Sequence, residues 1–250
     1  MTYKIYSKAS RTLVPLFFIL VLVIQISCTD DESFTKSPTA ILSFPCDTLK
    51  LDTAISGIAT STYSFVIRNH NSQGIKIVKA SLDNGEASGF QVAVDGVNIN
   101  DSYNHAIEVR KKDSITVYVK LKTKENNDDA VRTVSDKISF MLESGTIQTV
   151  TLLGYSQDVN TLSNLVIEKD TVLQSTRPFH VLGNLKVAEG KTLSIAPGTV
   201  LLFSPTSEMI VDGTLKALGT LDSAIVFRGD RLDHMFTNQP YDRIAGQWKG

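Results

Sequence analysis

The chain has 250 residues, with 25 basic and 26 acidic side chains and a formal net charge of -1. That length allows one or two domains. So balanced a charge gives no global attraction to nucleic acid or to anionic lipid, so neither is expected as an electrostatic partner.

In chain order the first element is a leader. Lys4, Lys8 and Arg11 precede an apolar run from Leu13 to Ile24, which trails into Gln25-Ile26-Ser27 before Cys28. A basic start, an apolar stretch of this length and a small residue at the break describe a secretory signal over residues 1–27. A spanning helix wants roughly 20 apolar residues. This run is shorter and holds Pro15; an uncleaved anchor and ordinary signal cleavage are the competing readings. A cysteine at the break resembles the lipobox of bacterial lipoproteins. The resemblance implies cleavage before Cys28, diacylglycerol on its sulfur and an acyl chain such as palmitate on the new amino terminus. Gln25 stands where such motifs usually carry Leu or Val, whereas Ile26 and Ser27 fit. Several acyl chains on one residue anchor stably, because a single chain binds a bilayer only marginally. The acidic Asp30-Asp31-Glu32 resembles the surface-export signal of Bacteroidetes-type lipoproteins, which implies the outer face of the outer membrane. A solvated linker uses the same residues. Loss of residues 1–27 removes three positive charges and moves the net charge from -1 to -4. With Cys28 lipidated, Cys46 has no intramolecular partner and reads as a small buried hydrophobe.

Residues 28–40 are polar, contain Pro38 and read as a tether. From Ile41 the pattern becomes short alternating runs. Tyr63, Phe65 and Ile67 share one face, as do Phe90, Val92 and Val94. Ile115, Val117, Val119 and Leu121 repeat the pattern, followed by Ile138, Phe140 and Leu142, then Val150 and Leu152. Period two over such lengths predicts strands with one buried face. Turn residues punctuate them at 69–74, Asp83-Asn84-Gly85, Asp95-Gly96 and Glu143-Ser144-Gly145. Strands at this spacing predict an Ig-like β-sandwich over residues 41–158, without the Cys…Trp…Cys arrangement of antibody domains.

From about Asn160 the texture changes. Gly183-Asn184-Leu185-Lys186-Val187 and Gly213-Thr214-Leu215-Lys216-Ala217 match position by position. Leu193-Ser194-Ile195, Val200–Phe203 and Ile225-Val226-Phe227 are very short apolar runs, and Pro197-Gly198 suits the centre of a type II turn. Internal similarity with such short strands predicts a parallel β-solenoid, whose coils stack to share one apolar column. A second sandwich is the competing reading, and it wants longer strands and hairpin turns.

The phrase Leu193 to Val200, followed by Ile210 to Thr220 and Ala224 to Phe227, resembles the opening coils of right-handed parallel β-helix proteins of pectate-lyase-like architecture. The whole chain resembles a family of Bacteroidetes lipoproteins with an amino-terminal Ig-like domain followed by such a helix. Gly229 to Leu232 and Gly246 to Gly250 are similar to that family's first long excursion and its return. The resemblance implies an all-β chain: an Ig-like β-sandwich followed by the first coils of a right-handed parallel β-helix over residues 160–250. Family members continue with many more coils, so the resemblance implies an incomplete helix here. An open, exposed carboxyl end is expected beyond about Asp230.

The β-helix hosts lyases, hydrolases, adhesins and rods alike, so fold does not give activity. Lyases of this kind use clustered Asp with Arg or Lys. Asp222, Arg228, Asp230, Arg231 and Asp233 are the candidates, and their spacing reads as a solvated loop. His70, His105, His180 and His234 form no ligand pair; His180 reads as structural. Asn126-Asn127-Asp128-Asp129 lacks the Gly and distal Glu of a calcium loop and reads as a hairpin. No catalytic residue, metal site or cofactor is expected. Tyr241 and Trp248, the only tryptophan, are the weak candidates for stacking on a sugar. The expectation is a non-catalytic surface module, held to the bilayer through acylated Cys28, that meets a glycan or a surface protein in adhesion or as a structural rod. The alternative is the amino-terminal part of a carbohydrate-active β-helix enzyme without its catalytic coils.

Overall fold

The computed structural model describes residues 32–100, 106–236 and 239–249. The leader, Cys28 and His105 lie outside the described residues. Nine strands build a sandwich: β1 (Thr48–Ile55), β2 (Tyr63–Arg68), β3 (Ile75–Leu82), β4 (Phe90–Val94), β5 (Val97–Asn98), β6 (Ile107–Val109), β7 (Ser114–Leu121), β8 (Arg132–Leu142) and β9 (Ile147–Gln157). One sheet has the order β1-β9-β8-β3-β6 and the other β2-β7-β4-β5. Neighbours pair antiparallel except β1, which runs parallel to β9.

The alternating residues do what their period requires. Phe65 and Ile67, Phe90 to Val94, Ile115 to Leu121, Ile138 to Leu142, and Val150 with Leu152 point their apolar members into one shared core. The hairpin between β4 and β5 turns on Asp95 and Gly96, both at positive φ (49° and 79°), the type I′ geometry that matches strand twist. At the 69–74 corner, the buried Asn69 amide donates to the carbonyls of Gln73, Val109 and Arg110.

Residues 34–40, read as part of a tether, lie along the sandwich. Thr35 N–H donates to Gly74 O at 2.9 Å, Lys76 sits 4.5 Å over the Phe34 ring, and Ala40 joins the core. The physical reason is that Phe34 and Ala40 are apolar members of a polar string: Phe34 is half-buried under the Lys76 ammonium, and Ala40 is buried in the core. Cys46 is half-buried rather than buried. The segment from Asn126 to Asp129 is not a hairpin. It carries the chain from β7 in one sheet to β8 in the other.

Beyond the sandwich the strands are parallel and stacked as coils: β10 (Asn160–Ile167), β11 (Thr171–Leu173), β12 (Phe179–Val187), β13 (Thr192–Ile195), β14 (Val200–Phe203), β15 (Glu208–Val211), β16 (Thr214–Ala217) and β17 (Val226–Gly229). One face reads β10-β12-β14-β17 and another β11-β13-β16. Among the described residues, this is a parallel β-solenoid with its own core, in which Val181, Leu185, Val187, Leu193, Leu201 and Phe203 are buried. The expected type II turn closes at Pro197-Gly198, where Thr199 N–H reaches Ala196 O and Gly198 has φ 79°.

Two details differ from the sequence reading. Strand β12 is nine residues long because it rounds a corner, with Phe179–Val181 pairing to β14 and Asn184–Val187 to β15. The two similar glycine phrases do not stack on each other. Leu185 pairs with Met209, whereas Leu215 pairs with Leu193. Their likeness does not reflect the coil period, and the two glycines answer different needs. Gly183 sits at φ 74°, which an L side chain rarely adopts. A Cβ at Gly213 would fall 2.3 Å from Lys191 O and 2.4 Å from Ala188 O, a backbone gap that admits no methyl group.

A short two-stranded ribbon, β18 (His234–Phe236) with β19 (Gln239–Pro240), and a single 3₁₀ turn (Tyr241–Arg243) complete the described residues. No helix among them is long and apolar enough to cross a membrane.

Candidate functional site

The polar residues with the most elaborate geometry lie where the segment after β17 returns to the sandwich. Ser61 sits in the loop between β1 and β2, and its N–H and hydroxyl both donate to Asp233 Oδ2. Arg231 donates to the same carboxylate, from Nε to Oδ1 at 2.8 Å and from Nη2 to Oδ2 at 2.7 Å. Its guanidinium lies 4.3 Å over the Tyr241 ring, a cation–π contact. Arg228 donates to Arg231 O at 2.9 Å. Burial opposes the charge on Asp233, but the Arg231 guanidinium and the Ser61 hydroxyl more than offset it. They hold its carboxyl below the ordinary range.

Asp52 on β1 completes the arrangement. Tyr63 donates its hydroxyl to Asp52 Oδ2 at 2.8 Å, and the His234 N–H donates to the same oxygen at 3.0 Å. His234 Nδ1 lies 2.8 Å from it. Burial raises the Tyr63 phenol well above its ordinary value, and the neighbouring Asp52 carboxylate adds to this.

Other residues fasten the solenoid to the sandwich elsewhere. Between β9 and β10, Asp158 is buried and takes the Ser56 hydroxyl and the N–H groups of Asn126 and Asp128. Burial disfavours its charge; the Ser56 bond and the backbone N–H groups outweigh that and hold its carboxyl below the ordinary range. Asp129 takes Arg177 Nε at 2.7 Å and Thr176 Oγ1 at 2.8 Å. Inside the solenoid, buried His180 on β12 lies 3.1 Å from Asp230 Oδ2.

The candidate residues therefore find these places. Arg228, Asp230, Arg231 and Asp233 are not a solvated loop. Asp230, Arg231 and Asp233 are drawn in because each meets a partner distant in sequence, His180 or Ser61, while Arg228 is held locally by Arg231 O and Asp242; Asp233 is only 3% exposed. Asp222 alone stays in an exposed loop. Tyr241 lies under Arg231. Trp248 is half-buried and stacks on Phe203, with ring centroids 4.1 Å apart and planes inclined by 18°. The end beyond Asp230 is thus partly covered, since an aromatic ring and a buried carboxylate both gain by packing back. Asp52, Ser61 and Tyr63 were not read as site residues from the sequence. Ser61 and Asp52 meet Asp233 and His234 across more than 170 positions, a separation that leaves no local signal, and Tyr63 joins the cluster through Asp52.

Chemically, the carboxylates are satisfied within the cluster, whereas buried Arg228 Nε has no hydrogen-bond partner among the described residues. Every carboxylate oxygen of Asp233, and Oδ2 of Asp52, already accepts from within the cluster. The arrangement is a clasp between the segment after β17 and the sandwich. Among the described residues, no three His, Cys, Asp or Glu side chains come together as a metal site.

No family model and no curated protein matches the chain. Among solved structures it is similar to a PapD-like domain of human CEP192, at 12% identity over 50% of this chain and 90% of that one, with a TM-score of 0.30. It is similar to the N-terminal domain of PorA, at 18% identity over 44% and 86%, with a TM-score of 0.30. It is also similar to a family 123 glycoside hydrolase from Clostridium perfringens, at 9% identity over 46% and 26%, with a TM-score of 0.32. At such values no residue role passes from these proteins to this chain.

Proposed function

We propose that this chain is a lipid-anchored cell-surface lipoprotein that acts as a non-catalytic binding or structural module. Cys28 carries the acyl chains, and the sandwich and solenoid stand on the outer face of the outer membrane to meet a glycan or another protein. The observation that carries the reading is the leader: a basic start, the apolar run from Leu13 to Ile24, and Ser27-Cys28 before acidic residues. The clasp supports it. A module that presents a surface away from a membrane works better when its two units do not hinge, and buried hydrogen-bonded carboxylates resist hinging.

The test is metabolic labelling with palmitate in a bacterial host, wild type against Cys28→Ala, with proteinase added to intact cells. Label on the wild type, none on the variant, and cleavage from outside the cell are expected. An unmodified amino terminus at any position other than Cys28 overturns the reading.

A further inference from the structure

The outer face of the sheet β2-β7-β4-β5 carries one large aromatic ring, Tyr118, which is 45% exposed. Its cross-strand neighbours are both small, Ser64 on β2 and Ala93 on β4, and Asn98 on β5 lies opposite Ala93. This row crosses four strands, about 14 Å at the usual strand spacing. Small residues on either side leave both edges of the ring uncovered. The next row brings Lys120 opposite Gln91. Together they line a groove of about 670 Å³, to which Lys122 and Glu86 also contribute. Among the described residues, Gln91, Lys120 and Lys122 spend no side-chain donor on an internal hydrogen bond or ion pair.

The chemistry of the groove selects among occupants. A peptide adding as a strand would need the free edge of β4, and that edge is taken. Asn100 accepts from Val92 N–H at 2.8 Å and donates to Phe90 O at 2.6 Å, while Ile99 N–H donates to Val92 O. A protein surface of standard size would bury roughly 800 Å² per partner around an apolar centre, and here the exposed apolar surface is one ring and one methyl group. A sugar fits better. The C–H face of a pyranose is apolar and lies flat on an aromatic ring, while its hydroxyl edges seek amides and ammonium groups. Two unpaired lysines against one glutamate favour a negatively charged ligand, on a chain whose overall balance is not basic.

We propose that this face is a binding site for an anionic oligosaccharide, with Tyr118 as the stacking platform, Gln91 and Asn98 as hydroxyl partners, and Lys120 and Lys122 as partners of the acidic groups. It rests on the binding-module reading and places the glycan on the sandwich, away from Tyr241 and Trp248.

The test is calorimetric titration of the purified full-length chain with a galacturonate tetramer, a sulfated heparin-derived tetramer and neutral cellotetraose. The two anionic probes distinguish carboxylate from sulfate as the acidic group. Binding to at least one of them is expected, weakened by added salt. Tyr118→Ala weakens it about tenfold, Lys120→Gln removes the preference over cellotetraose, and Tyr155→Ala, at an exposed tyrosine elsewhere, changes nothing. Circular dichroism checks that each variant is folded, and Tyr118→Phe, which keeps the ring, retains binding. No binding of either anionic probe overturns the proposal, as does wild-type affinity in folded Tyr118→Ala. Loss of binding in Trp248→Ala with Tyr118→Ala unaffected overturns it as well. The measurement is made on purified protein, so its failure leaves the acylation result for Cys28 standing, and the reverse holds too.

Discussion

Arg231 grips both oxygens of Asp233, at 2.8 and 2.7 Å, yet the two partners are not equally buried. The Arg231 side chain is 39% exposed and that of Asp233 3%. The consequences of breaking the pair therefore differ by partner. Arg231→Ala strands a buried carboxylate that keeps only Ser61. Asp233→Ala frees a guanidinium that water can reach. A fully buried pair broken from one side costs about 3–5 kcal/mol. Partial exposure lowers this to about 2–3 kcal/mol for Arg231→Ala, and to about 1–2 kcal/mol for Asp233→Ala. Urea unfolding measures both, and equal losses would show that burial does not set the asymmetry.

The same clasp makes stability depend on pH at the acid end. Asp233 and Asp158 both have carboxyls held below the ordinary value of 3.8. A depressed folded-state pKa means that the unfolded chain binds protons first as pH falls. The stabilisation is complete well above 3.8, begins to fade from about pH 5, and is gone once pH has passed below the folded-state values. Thermal melts between neutral pH and pH 3 are expected to fall more steeply for the wild type than for the Asp158→Asn/Asp233→Asn double variant. Parallel curves would remove these two residues from the acid response.

Tyr63 gives the opposite sign. Its phenol is raised above the ordinary value of 10.0 by burial beside Asp52. The folded state keeps the proton after the unfolded chain would release it, so this contribution is intact below pH 10 and is lost as pH rises beyond. In an ultraviolet titration the Tyr63 phenol is expected to stay protonated until the protein unfolds. Tyr63→Phe should remove that late ionisation. An unaltered late phase in Tyr63→Phe would reassign it.

Much of the sandwich is written in its alternation, because a strand with one buried face must alternate. The inward set from Ile115 to Leu121 is apolar at every second place, with Thr116, Tyr118 and Lys120 outward. Strand β3 is harder to read, since a bulge between Ile77 and Lys79 shifts the period and brings Ala80 inward. The solenoid was legible in its short apolar runs, but its register was not. The glycine phrases at 183 and 213 look like a coil repeat, yet Gly183 answers to a positive φ and Gly213 to close backbone approach, on different faces. The clasp was least legible of all. Charged residues in a turn-rich stretch read as solvated unless their partners are known, and Ser61 and Asp52 lie far back in the sequence, in the sandwich. In the sequence Tyr118 is one outward member of an alternating run and nothing more. What sets it apart is the small size of Ser64 and Ala93, which only the pairing register brings beside it.

Trp248 is the only tryptophan, and its stacking on Phe203 makes the fluorescence of the whole protein a reporter of one contact. Phe203 is fully buried, and Phe227 stacks on its ring at 6.4 Å, so the indole covers the apolar column at Phe203. Emission is therefore expected at shorter wavelength than that of free tryptophan, with quenching by acrylamide slowed in the native state. Loss of a fully buried tryptophan costs about 3–5 kcal/mol, and a half-buried one about half as much. Trp248→Ala is expected to destabilise by about 2 kcal/mol and to make the 230–249 segment more sensitive to protease. Trp248→Phe, which keeps a ring against Phe203, should recover most of that protection. If the native emission matches that of the unfolded chain, the indole is in water and the stack does not cover the column.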